Sequence, residues 1–135
     1  MVQARWIAVT MYTGVLLVLP TVGVLVKPPA PVPEAALRLL AALLGLVAVG
    51  EYLASLLVAA RLTSGSGASR PVGALAAGII SAAMGASIAV YGFVLGLLGA
   101  PGWAPVFYVL CLVHGVHLAI RWPELERAAE QGAPG

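Results

Sequence analysis

Fifty consecutive residues, Pro71 to Ile120, contain no Asp, Glu, Lys or Arg. A water-facing domain carries roughly a quarter charged residues, so a stretch of this length cannot form the surface of one. The rest of the chain agrees. Its 135 residues are 61% hydrophobic and 9% charged, with a mean hydropathy of +1.04. A soluble globular domain, a disordered tail and a nucleic-acid binder are excluded on this ground. The seven basic residues are scattered and form no basic patch, so the net charge of +2 reads as membrane orientation rather than polyanion binding. The single cysteine, Cys111, allows no intrachain disulfide.

A bilayer span needs about 20 mostly apolar residues. Four stretches meet that length, at about 7–26, 35–60, 72–99 and 104–120. They are separated by Lys27-Pro28-Pro29, by the Gly65-Ser66-Gly67 linker ending in Arg70-Pro71, and by Ala100-Pro101-Gly102-Trp103. Pro and Gly mark turns. Within lipid every backbone group must be bonded inside its own segment, which predicts helices. None of the runs shows the alternation of a membrane barrel. The fold expected is an all-α, integral membrane four-helix bundle in a single domain, with a short polar cytoplasmic tail over 121–135 that forms a frayed helix from Pro123. The first run is longer than the apolar core of a signal peptide and no small-x-small cleavage site follows it, so it is expected to be retained.

Four spans put both termini on one side. That side would hold Arg5, Arg61, Arg70, Arg121 and Arg127, against Lys27 and Arg38 on the other. Five against two predicts cytoplasmic N- and C-termini in the plasma membrane. Trp6 and Trp122 fall at the inner interface and Trp103 at the outer one, where amphipathic rings prefer to sit.

The third span carries a stripe of small residues. Gly78, Gly85, Gly92 and Gly99 recur every seven positions, with Ala74, Ser81, Ala89 and Gly96 between them. Such a stripe weakens helix propensity and makes sense only where another backbone comes close. The second span offers a complementary face of Ala41, Gly45, Ala48, Ser55 and Ala59 with Tyr52. The partner of the stripe is either a helix of the same chain or a second copy, and small-residue packing alone decides neither.

Few residues could carry chemistry. Glu51 lies nine to ten residues from the cytoplasmic end of its span, about 15 Å deep. Ionisable groups at such depth are expensive and face protein or water. Glu51 is either a protonatable or cation-coordinating carboxylate, or a hydrogen-bonded group that fixes register, with Ser81 as its partner. His114 and His117 sit with Cys111 in Cys-Leu-Val-His-Gly-Val-His. They are weak metal candidates, because one helix does not converge three ligands. A cluster of Tyr12, Thr13 and His114 reaching toward Glu51 would make a proton path. No nucleophile–base–acid set and no phosphate-binding loop occur, so no enzyme activity, catalytic residue or cofactor is expected.

The segment Ala86-Ser87-Ile88-Ala89-Val90-Tyr91-Gly92-Phe93-Val94-Leu95-Gly96-Leu97-Leu98 resembles the ion-carrying helix of rotor-ring proteolipids, the c-type subunits of rotary ATPases. The likeness lies in a small apolar run, an aromatic–Gly pair and an apolar tail, and covers at most a third of the chain. It implies a proteolipid-like packing style. The family's carboxylate would fall at Ala86, and its glycine-rich stripe belongs to the preceding helix, so Glu51 is left as the substitute carboxylate.

Three functional expectations follow. The first is a structural or accessory membrane protein that packs through small residues against itself or a larger membrane complex. The second is a proton- or cation-translocating proteolipid-like protein that uses Glu51. The third is a haem or quinone anchor using His114 and His117. The lipid bilayer is the common partner, and no nucleic acid is expected.

Overall fold

The computed structural model describes residues 2–26, 32–64 and 69–130. The expected breaks at Lys27-Pro28-Pro29 and Gly65-Ser66-Gly67, and the last five residues of the tail, lie outside the described residues. Four helices follow in order: α1 (Val2–Leu25), α2 (Glu34–Thr63), α3 (Ser69–Leu97) and α4 (Ala104–Glu130). The described residues form no strand. Each helix is long and apolar enough to cross a membrane. Even α1, with 24 residues, extends about 36 Å, beyond the ~30 Å hydrocarbon core.

The helix ends follow local chemistry. Pro33 caps α2, and its carbonyl accepts from the amides of Ala36 and Leu37 at 3.0 and 3.1 Å. At the far end of α3, Gly99 adopts a left-handed φ of 93°. The Ala100 amide reaches back to the Leu95 carbonyl at 2.9 Å and the Gly99 amide to that of Gly96 at 3.2 Å. This pair of bonds is a Schellman closure, which favours glycine at the left-handed position. Gly99 therefore terminates α3 and is not part of its packing stripe. α4 runs on past Ile120 and through Pro123 to Glu130, because Trp122, Leu125 and Ala129 remain buried. The end expected as a frayed polar helix is, over 121–130, nearly three further turns of α4 with one face packed.

Two core clusters fix the topology. One gathers Ala4 and Ala8 of α1, Ala59 of α2, Ala77 of α3 and Leu118, Trp122 and Leu125 of α4. The other gathers Leu37 and Ala41 of α2, Leu95 of α3 and Phe107 of α4, with Leu19 of α1 against it. Successive helices thus run in alternating directions, and Arg5, Arg61, Arg121 and Arg127 belong to one end.

The bundle is not a square. α3 packs against all three other helices, most extensively against α4; α1 and α4, and α2 and α4, meet only briefly. α1 and α2 do not approach one another. Half of the apolar window of α3 is buried, against 6% of that of α1. Small residues make this possible: Ala74, Ala77, Ala82 and Ala89 are fully enclosed, and short side chains let three helices close in on a fourth.

Candidate functional site

The glycine stripe of α3 faces α4 and α1, not the small-residue face of α2. A methyl group at Gly78 would stand 3.0 Å from the Trp122 ring, and one at Gly92 would stand 2.9 Å from the Ala104 carbonyl oxygen and from Phe107 Cβ. At Gly85 it would stand 2.5 Å from His114 Nδ1 and closer still to the Tyr12 hydroxyl. Gly96 has only Ala104 Cβ nearby, at 3.8 Å, and neither Gly45 nor Gly99 has any atom within 4 Å of that point. Within the stripe Gly78, Gly85 and Gly92 are therefore the close-contact positions; outside it, a methyl group at Gly73 would run into the Leu62 carbonyl oxygen of α2. Ala48 and Ala89 lie fully buried in one core cluster.

The space left by Gly85 holds a hydrogen bond. The Tyr12 hydroxyl lies 2.6 Å from His114 Nδ1. On the other side of the ring, Ser55 Oγ lies 2.9 Å from Nε2. Ser55 gives its own proton to the Tyr52 carbonyl at 2.7 Å, so it accepts from Nε2–H. Nδ1 then accepts from Tyr12. For a neutral imidazole this places the ring proton on Nε2. Ser81 donates to the Ser55 carbonyl at 3.4 Å, a long bond. The imidazole of His114 is only 3% exposed, and it ties α1, α2 and α4 together where α1 and α2 cannot touch. Tyr12 stacks beside the ring, and Tyr52 meets it edge-on with centroids 5.0 Å apart.

One turn further along α4, His117 Nδ1 is hydrogen-bonded to the Tyr52 hydroxyl. His114, His117, Ser55, Ser81 and Arg121 line a cavity of about 20 Å³, room for one water molecule. Arg121 makes a 3.5 Å ion pair with Glu124, at the basic end of the bundle.

Glu51 forms a second, separate polar site. Ser87 Oγ donates to Glu51 Oε2 at 2.5 Å, and the Tyr91 hydroxyl donates to Oε1 at 2.7 Å. Ser87 also lies 2.7 Å from the Met84 carbonyl. Each carboxylate oxygen thus has one hydroxyl donor from α3, and the side chain is half-buried. Ser81, the expected partner, is committed to Ser55 instead. The register explains why: Ser55 stands opposite Ser81, which puts Glu51, four residues earlier, near position 85 of the antiparallel α3, and its carboxylate reaches on to Ser87 and Tyr91. Glu51 makes no hydrogen bond with Tyr12 or His114, and Thr13 is exposed, so the path expected from Tyr12 to Glu51 is interrupted.

Among the described residues no buried side-chain nitrogen or oxygen lacks a partner, and no three His, Cys, Asp or Glu side chains group as metal ligands. Cys111 is fully buried one turn before His114. The residues that sequence reasoning did not assign to the sites are Ser87 and Tyr91, and the pairing role of Ser55 and Tyr52. Ser87 and Tyr91 stand four apart, on one helix face, a signal that could have marked them as a hydroxyl pair. Comparison with protein-family models, with curated proteins and with solved structures gives no match to this chain.

Proposed function

We propose that this chain is a multi-pass membrane protein of structural or accessory type, with both termini in the cytoplasm and its bundle closed upon itself. The observation that carries this reading is the filling of the α3 seam from within the chain. Gly78, Gly85 and Gly92 are met by α4 and α1, and the polar groups inside are bonded to one another. What is left on the outside is apolar. α1 presents Trp6, Ile7 and Leu17, and α2 presents Leu39, Leu43, Leu46, Leu53 and Leu57. Surfaces of this kind suit lipid or the helices of a larger membrane complex. A partner helix, or a second copy, would meet α1 or α2 rather than the glycine stripe. The test is the mass of the protein extracted from its own membrane in mild detergent, with crosslinkers placed on the outer faces of α1 and α2. Co-purifying subunits crosslinked through those faces support the reading. A lone chain with an ion flux of its own contradicts it.

A second reading rests on Glu51. A carboxyl group deep in an apolar span, with one hydroxyl on each oxygen, is suited to proton or cation exchange. Proteoliposomes that show a flux abolished by Glu51→Gln would favour it over the accessory role. The haem-anchor reading has less support, since both ring nitrogens of His114 are already engaged by Tyr12 and Ser55.

A further inference from the structure

α1 and α4 meet over a short stretch only, and beside it they leave a groove of about 290 Å³. The volume is near the lower end of the range for small-molecule sites. Its walls are apolar, and its floor is the Tyr12 ring laid against Gly115, where a methyl group would stand 3.1 Å from the ring. The Tyr12 hydroxyl is turned away to His114. The groove runs from Arg5 to Leu16 on α1, twelve residues and about 16 Å. That is half of a ~30 Å hydrocarbon core, the depth of one leaflet.

The charge lies at one end. Arg5 lines the mouth of the groove, is exposed, and has no ion-pair partner among the described residues. On the facing end of α4, Glu124 pairs with Arg121 and Glu126 accepts from the Trp122 indole at 3.1 Å; neither these two nor the exposed Glu130 lines the groove. An apolar slot one leaflet deep that ends at an exposed cation without an ion pair matches one kind of molecule. We propose that the groove seats one acyl chain of an anionic phospholipid, with the headgroup phosphate on the Arg5 guanidinium. This rests on the membrane reading above.

Trp122 lines the groove and can report on it. The full chain carrying Trp6→Phe and Trp103→Phe is placed in phosphatidylcholine bilayers. Phosphatidylglycerol or phosphatidylcholine with brominated acyl chains is then added at equal mole fraction. The proposal predicts that the anionic lipid quenches Trp122 with about a fivefold preference, the scale of one basic side chain against anionic lipid. Arg5→Gln should bring that preference to about one. Ala119→Phe, at an exposed groove position, should weaken quenching by both lipids. Equal quenching by the two lipids in the parent chain overturns the groove assignment, as does a preference that survives Arg5→Gln. Absence of quenching by either lipid overturns the membrane reading itself.

Discussion

Gly85 of α3 and His114 of α4 stand so close that a single methyl group on the glycine would lie 2.5 Å from the imidazole Nδ1. The missing side chain is what admits the Tyr12 hydroxyl to that nitrogen. The middle glycine of the stripe therefore does more than shorten an interhelical distance, because it opens the space in which α1 is tied to α4.

Within the seven-residue stripe, Gly85→Ala should accordingly be the most damaging substitution. Overpacking costs about 1–3 kcal/mol, and loss of the interhelical hydrogen bond adds about 0.6 kcal/mol on average within a membrane. Gly92→Ala meets backbone and should follow, and Gly78→Ala meets the edge of Trp122. Gly45→Ala meets nothing and should be neutral or stabilising by up to about 1 kcal/mol through helix propensity. Unfolding in mixed detergent micelles measures the order. Equal effects at Gly85 and Gly45 would contradict the packing scheme.

Tyr12→Phe and Ser55→Ala remove the two partners of one ring. Each should cost about 0.6 kcal/mol, and at most about 1.7. Because the two bonds share the imidazole, their effects should not add. A double-mutant cycle read by the same unfolding assay tests this. Strict additivity would mean that the two bonds are independent.

Glu51 stands apart from the remaining glutamates. Glu34, Glu124 and Glu130 are exposed and Glu126 lies near the end of α4, whereas Glu51 lies between hydroxyls in the middle of α2. A hydrophobic carbodiimide applied to membranes should label Glu51 alone, as read by peptide mass, and labelling should vanish in Glu51→Gln. Labelling spread over the other glutamates would place Glu51 outside the apolar interior.

The orientation is open to a direct test. With Cys111→Ser as background, Ser64→Cys should react with a membrane-impermeant maleimide only after the cytoplasmic face is opened. Gly102→Cys should react from outside. The reverse pattern would invert the topology drawn from the arginines.

Much of the architecture is written in the sequence because the lipid-length apolar runs and the Pro and Gly between them leave one class of fold. The stripe of α3 is equally visible, since a seven-residue period survives without knowledge of the partner. The partner itself is not. Small residues show that a backbone comes close, and the helix nearest in sequence, α2, is the natural guess, yet Gly78, Gly85 and Gly92 face α4. Polar pairings fail for a related reason. An offset of six residues along α3 separates Ser81 from Ser87, and the register of an antiparallel pair depends on where each helix ends. Those ends are set by details such as the left-handed Gly99 and the burial of Leu125 beyond Pro123. The Tyr12–His114–Ser55 arrangement joins three helices, and no spacing within one chain segment encodes it.

The central claim, that His114 is the junction of α1, α2 and α4, is tested most directly by nitrogen-15 NMR of the ring in the bilayer-embedded protein. The structure predicts a neutral imidazole with the proton on Nε2 and a hydrogen-bonded, unprotonated Nδ1, whose signal shifts in Tyr12→Phe. A proton on Nδ1, or an Nδ1 signal indifferent to Tyr12→Phe, would contradict it.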